Sequence, residues 1–216
     1  MLNKNIIILS DFDGTITNKD VGTALIKNFG PDGWKEYEKK YIKREISSKD
    51  SLSFYYENMK RPTNGLLDYV DNNIKLDDYF LSFYNYIKEK NYDFYIVSDG
   101  MDFYIDFILK KYDLNDIPFY SNTYIDKTNV ETKYPYFNLE CGMCGNCKYS
   151  HLNNLSDEST FTIYIGDGHS DRCVADKVDL TFAKDDLEKY CKDRDIKYIK
   201  FNDFSDVLKI IKMRGI

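Results

Sequence analysis

Five short runs of largely apolar residues punctuate the chain, each followed by a polar turn and then by apolar positions at helical spacing. They are Asn5–Leu9, Asp93–Val97, Phe161–Ile165, Asp179–Ala183 and Lys197–Phe201. Runs of about five residues with Ile, Val, Tyr and Phe predict the buried strands of a parallel sheet. Between them, Leu76, Tyr79, Phe80, Phe83, Tyr84 and Ile87 follow the i, i+3, i+4, i+7 rule of an amphipathic helix. Phe204, Val207, Leu208 and Ile211 do the same near the C-terminus. Strands alternating with such helices predict an α/β fold with a doubly wound, Rossmann-like parallel sheet.

The rhythm breaks after the first strand. From about Ile16 to about Lys75 no convincing strand appears, but Trp34, Tyr37 and Tyr41 lie at helical spacing, as do Leu52, Tyr55 and Tyr56. A linker that long is structured. It predicts a small helical cap over the sheet's C-terminal edge, where open α/β sheets bind ligands. The expected domains are a discontinuous core, 1–15 and 76–216, and a cap, 16–75. A second irregular stretch, about Asn122 to Leu139, predicts a small antiparallel excursion.

Composition narrows the function. The chain has 216 residues, 43% of them hydrophobic, with 20 Tyr and 14 Phe to fill the core and its edges. A formal charge of −6 and the lack of a long basic run argue against a nucleic-acid partner. Asn3-Lys4-Asn5 leads into only four apolar residues, Ile6 to Leu9, too few for a secretory leader or a membrane span. Five Cys, three of them crowded into Cys141–Cys147, make a poor disulfide framework. The expected compartment is the cytoplasm, with no membrane partner.

The candidate chemistry lies at the strand ends. Asp11-Phe12-Asp13-Gly14-Thr15 follows the first strand, and residues two apart in extended chain point the same way, so both carboxylates are expected to meet one ligand. A divalent cation between them relieves their repulsion. Ser98-Asp99-Gly100 ends the second strand, where a hydroxyl and the amides of a glycine turn at a helix start suit a phosphate. Gly166-Asp167-Gly168-His169-Ser170-Asp171 brings two more acids, four apart, that could complete an oxygen-rich metal site. Lys148 lies between these two motifs. Each element separately also reads as an ordinary cap or turn; all four would converge on one edge of the sheet.

This ordered set resembles the four motifs of haloacid dehalogenase superfamily phosphatases, and the cap position is similar to that of the phosphoserine phosphatase-like branch. Cys-Gly-Met-Cys-Gly-Asn-Cys-Lys (141–148) and the run from Gly166 through Phe182-Ala183-Lys184 resemble 2-hydroxy-3-keto-5-methylthiopentenyl-1-phosphate phosphatase-like proteins of methionine salvage. The resemblance implies a Mg²⁺-dependent phosphatase acting on a small phosphorylated metabolite through an aspartyl-phosphate. Asp11 would be the nucleophile and Asp13 the general acid, then base. Mg²⁺ would take the carboxylates of Asp11 and Asp167 and the carbonyl of Asp13, with Asp171 holding metal-bound water. Ser98, Gly100, Thr15 and Lys148 would bind the phosphoryl group. Phosphoserine, phosphocholine or phosphoethanolamine as substrate stays open, as does a phosphomutase on the same scaffold. Asp13 argues against a dehalogenase, which has no alkoxide to protonate.

Cys141, Cys144, Cys147 and His151 form C-x₂-C-x₂-C-x₃-H, a spacing that could hold Zn²⁺, assist an iron–sulfur cluster, or be an ordinary loop with His151 at the surface. His169 could meet the substrate or a neighbouring carboxylate. In the cap, Arg44, Glu45 and Arg61 are candidates to select a polar substrate or are simply surface charges.

Overall fold

The computed structural model describes residues 5–216; the chain start on which the leader reading partly rests, residues 1–4, lies outside them. Seven strands form one sheet in the order β4-β3-β2-β1-β5-β6-β7. β1 (Asn5–Ser10) lies at its centre, paired in parallel with β2 (Asp93–Met101) and β5 (Thr160–Gly166). Outward from β5 come β6 (Leu180–Ala183) and β7 (Ile199–Lys200); outward from β2 come β3 (Phe119–Ile125) and β4 (Glu131–Lys133). Among the described strands of this sheet only the β3–β4 pair is antiparallel.

Alternation along β1 shows why both faces are covered. Ile8 joins one apolar cluster, whereas Ile7 and Leu9 join another on the opposite face. The first cluster takes in α5 (Phe80–Glu89), α6 (Asp102–Lys111) and α9 (Phe204–Met213). The second includes Leu152 of α7 (Lys148–Leu155) and Leu187 and Cys191 of α8 (Asp185–Asp193).

The predicted insertion is helical throughout. It comprises α1 (Val21–Phe29), α2 (Trp34–Ile42), α3 (Ser48–Glu57) and α4 (Thr63–Asn73). Asp20 caps α1, and Ser47 with Asp50 forms a capping box on α3. Val21, Leu25, Tyr55, Tyr56, Leu66 and Val70 belong to the same apolar cluster as Ile8 and Phe12, so the layer packs continuously with the sheet beneath it.

Several boundaries differ from the pattern. β2 continues four residues beyond Val97 by way of an irregular register before Met101, because Ser98, Asp99 and Gly100 are held by side chains rather than by a regular ladder. The stretch from Asn122 supplies the expected hairpin, but β3 is also a parallel strand of the main sheet, hidden in a segment with no uniform apolar run. Tyr79 precedes α5 and is 47% exposed, so it lies off the buried stripe. Among the described residues no helix is long and apolar enough to cross a membrane.

Candidate active site

Asp11 follows β1 directly, its amide bonded to the Ile165 carbonyl of β5 at 2.9 Å. There the extended chain ends. Residues 13–16 turn with Gly14 at φ +76°, and the amides of Thr15, Ile16 and Thr17 close on the Phe12 carbonyl at 3.0–3.3 Å. A side chain at Gly14 would meet Asp167 at 2.7 Å, so the turn needs glycine twice over. The Asp11 and Asp13 carboxylates consequently take different hydrogen-bond partners, although both line one cavity.

The Asp11 carboxylate, buried, accepts from the Phe12 amide at 2.7 Å and ion-pairs with Lys148 Nζ at 2.8 Å. Among the described residues, Asp11, Asp167 and Asp171 form the one set of three side chains whose ligand atoms come together, within 4.8 Å. Asp171 is fully buried and every oxygen is engaged. Oδ1 accepts from Lys148 and from the Tyr164 hydroxyl at 2.5 Å, and Oδ2 from the amides of Asp167 and Gly168 at 2.9 and 2.8 Å. It therefore orients the loop and the lysine.

Thr15 also has a different place from the one expected. Its buried hydroxyl donates to Asp167 Oδ1 at 2.5 Å and its amide is spent on Phe12, which makes it a support for Asp167 rather than a phosphate ligand.

Burial and mutual repulsion raise the pKa of two of these clustered carboxylates, Asp11 and Asp167. Burial raises Asp11 well above the carboxylate range, Lys148 pulls it back, and Asp171 and Asp167 push it higher. Asp167 rises to about 7 through burial and the Asp171 charge. Burial disfavours the Lys148 ammonium, but Asp11 and Asp171 outweigh that and raise its pKa. An oxygen-only set that repels itself fits a hard divalent cation such as Mg²⁺.

Asp13 has a separate set of partners. Its Oδ2 accepts from the Tyr104 hydroxyl at 2.9 Å and Ser98 Oγ at 3.1 Å, and its Oδ1 from the amides of Val21 and Gly22 at 3.2 and 3.3 Å. Burial and the nearby Asp20 charge raise its pKa to about 7 against those hydrogen bonds. Gly100 does not sit in a helix-opening turn as expected; it lies in the irregular end of β2. A Cβ there would overlap the Tyr104 hydroxyl and the Asp13 carboxylate, so its absence lets those two groups meet. Tyr104 and Tyr164 escaped the sequence reading because each sits among apolar neighbours and reads as core.

The loop before α7 braces the site without gathering its sulfurs. Cys141 is exposed, Cys144 half-buried and Cys147 buried, and with His151 they form no common ligand set among the described residues. His151 is not at the surface: it is 4% exposed, stacks on Tyr120 with ring centroids 4.4 Å apart, and bonds Asn146 Oδ1 through Nε2 at 2.6 Å. The Asn146 amide group in turn donates to the carbonyls of Ser98 and Tyr120, both at 2.8 Å. Burial, with the Lys148 charge, lowers the His151 pKa from 6.5 to about 4.

The folded state thus holds a neutral imidazole, whereas the unfolded chain protonates near the ordinary value. His151 therefore contributes stability that is lost as pH falls from about 6.5 toward 4, worth on the order of 2 kcal/mol. Urea melts at pH 7 and pH 4.5 should show this difference shrinking in His151→Gln; an unchanged pH dependence would disprove the assignment.

A cavity of about 170 Å³ opens between this edge and the helical layer, and Asp11, Asp13, Ser98, Gly100 and Asp167 line its floor. Glu38, Tyr41, Leu52, Tyr55 and Tyr56 line its roof. The cap charges singled out from sequence lie elsewhere. Arg44 and Glu45 are exposed, and Arg61 stacks over Phe29 at 4.9 Å outside the cavity. His169 does reach the rim, with Asp186 3.4 Å from its Nε2.

Solved structures share this architecture. A haloacid dehalogenase family hydrolase from Salmonella enterica serovar Typhi superposes with a TM-score of 0.72 at 19% identity, over 95% of this chain and 70% of its own. A phosphoserine phosphatase, solved as an analogue of its phospho-aspartyl intermediate, gives 0.68 at 20% identity, over 96% and 99%. The fold is that of the haloacid dehalogenase-like hydrolases. More narrowly, the chain belongs to the family described as "Putative Phosphatase", which matches residues 6–189. A 2-hydroxy-3-keto-5-methylthiopentenyl-1-phosphate phosphatase of Bacillus cytotoxicus is 31% identical over 208 residues, 94% of each chain. The protein is a phosphoric monoester hydrolase.

Proposed function

We propose that the chain hydrolyses a small phosphomonoester by way of a phospho-aspartate on Asp11, with the methionine-salvage enediol phosphate named for its relatives as the leading substrate. The observation that carries the reading is that two acids with different partners line one cavity floor. Asp11 sits with Lys148 and Asp167, whereas Asp13 sits with Tyr104 and Ser98 and has a pKa of about 7.

The Asp11 carboxylate forms the new O–P bond as the ester P–O bond breaks, and Asp13 gives its proton to the departing alkoxide. Asp13 then takes a proton from the water that attacks phosphorus, which restores Asp11 and frees inorganic phosphate. Lys148, pinned by Asp171, keeps Asp11 in place and offsets the charge of the incoming phosphoryl group. Ser98 and Gly100 line the cavity floor beside Asp11 and Asp13, which supports a role at the phosphoryl oxygens once the Ser98 hydroxyl turns from Asp13 to the substrate.

Asp11 and Asp167, with the Asp13 carbonyl, would hold Mg²⁺, and Asp171 orients the loop behind them. When bound, the ion neutralises phosphoryl charge and polarises the phosphorus. Residues 1–15 and 76–216 act as the catalytic core and 16–75 as the cap domain. Five unpaired cysteines support a cytoplasmic setting.

The test is release of phosphate from an aryl phosphate with Mg²⁺, abolished by a chelator and restored by Mg²⁺. Full turnover after exhaustive metal removal would refute the metal assignment.

A further inference from the structure

We infer that the cavity selects an uncharged leaving alcohol with at least one further oxygen function, that Glu38 and Tyr56 recognise that oxygen, and that alcohols bearing a carboxylate are excluded. The inference rests on the phosphomonoesterase reading and specifies which esters the site accepts.

Charge supplies the first argument. Asp20, Glu38 and Asp99 line the cavity along with Asp11, Asp13 and Asp167, and among the described residues no Lys or Arg lines it. Lys148 lies beneath the floor, spent between Asp11 and Asp171. His169 at the rim already faces the Asp186 carboxylate, 3.4 Å from its Nε2. A carboxylate on the leaving group would therefore be desolvated among like charges with no counter-ion beyond those serving the phosphoryl group.

Unspent hydrogen-bonding capacity supplies the second argument. The Tyr56 side chain is fully buried, and among the described residues its hydroxyl has no partner although it lines the cavity. A buried donor without an acceptor is costly, which makes a ligand oxygen its natural complement. Across the roof, Glu38 accepts from the Tyr55 hydroxyl through Oε2 at 3.3 Å, and its Oε1 accepts no hydrogen bond from the described residues. A hydroxyl or enol on the substrate can donate to Glu38 and accept from Tyr56. Ile26, Leu52 and Tyr41 leave apolar wall for the remaining carbons.

Glycerol 3-phosphate and 3-phosphoglycerate share a three-carbon skeleton and differ in a hydroxymethyl against a carboxylate. Each is measured as a competitor of aryl phosphate hydrolysis in the Mg²⁺-supplied enzyme, so neither needs to be turned over. Glycerol 3-phosphate is expected to bind about 100-fold more tightly, the effect of unfavourable burial of one unpaired charge. Glu38→Gln keeps the acceptor for Tyr55 and removes the charge, so it should narrow that ratio about tenfold. Tyr56→Phe should weaken glycerol 3-phosphate about 3- to 10-fold while leaving the ratio alone. Equal or tighter binding of 3-phosphoglycerate, an unchanged ratio in Glu38→Gln, or no competition by either ester would overturn the inference. Failure to hydrolyse the aryl phosphate would sink the phosphatase reading as well, whereas turnover with an unselective cavity sinks this inference alone.

Discussion

Asp13→Asn, mixed with an activated aryl phosphate, will accumulate a phosphate adduct on Asp11, and Asp11→Asn will accumulate none. The two acids have different partners, so their loss should interrupt different steps. Asp11 is ion-paired with Lys148 at 2.8 Å and belongs to the carboxylate cluster with Asp167 and Asp171; Asp13 hangs from Tyr104, Ser98 and two amides of the helical layer. An aryl leaving group departs without a proton, so phosphorylation of Asp11 should survive in the Asp13 variant. Water must still be deprotonated to cleave the adduct, and the loss of that assistance should slow turnover about 10²–10⁴-fold. Rapid quench followed by mass spectrometry of tryptic peptides reads the result. An adduct on another residue, or full activity in Asp11→Asn free of deamidation, would show the mechanism to be wrong.

Lys148→Met should damage folding and catalysis together. The ammonium is fully buried between Asp11 and Asp171, and its removal leaves two buried carboxylates facing each other. Losing one partner of a buried ion pair costs about 3–5 kcal/mol. For a chain of this size that corresponds to a fall in Tm of roughly 10 °C. Activity should drop about 10²–10³-fold, the usual effect of deleting one donor to developing charge. Thermal melts with and without Mg²⁺ separate the two effects, because a cation bound by the carboxylates should restore part of the stability. A variant that melts with the wild type would mean that the lysine is not the counter-ion described.

The sheet was legible because its central strands are buried on both faces, which leaves largely apolar runs such as Ile6–Leu9 and Phe161–Ile165. The helical layer was legible through spacing and through the sheer length of chain to be placed. β3 was not, because its residues mix Ser121, Asn122 and Thr123 with aromatics and its apolar signal is diluted. The motif acids could be placed on one edge from sequence, with a division of labour implied by the family resemblance, but the partners of each acid could not be read. Where alternation ends at Ser10 depends on the turn around Gly14, and that turn decides which carboxylate faces which partner. Supporting hydroxyls were illegible for a related reason. Tyr104 and Tyr164 bury their rings as core residues do, and only the position of the phenolic oxygen sets them apart.

The outermost strands of the sheet are its shortest. β4 spans Glu131–Lys133 and β7 spans Ile199–Lys200, and both carry charged side chains. Short, charged borders offer few free backbone groups to another chain and discourage edge-to-edge stacking. The long apolar strands that lead into the motif acids lie in the interior of the sheet, flanked on both sides. A sequence rich in aromatic, strand-forming residues thus protects itself against fibrous self-association by keeping its most adhesive segments where no neighbouring molecule can extend them.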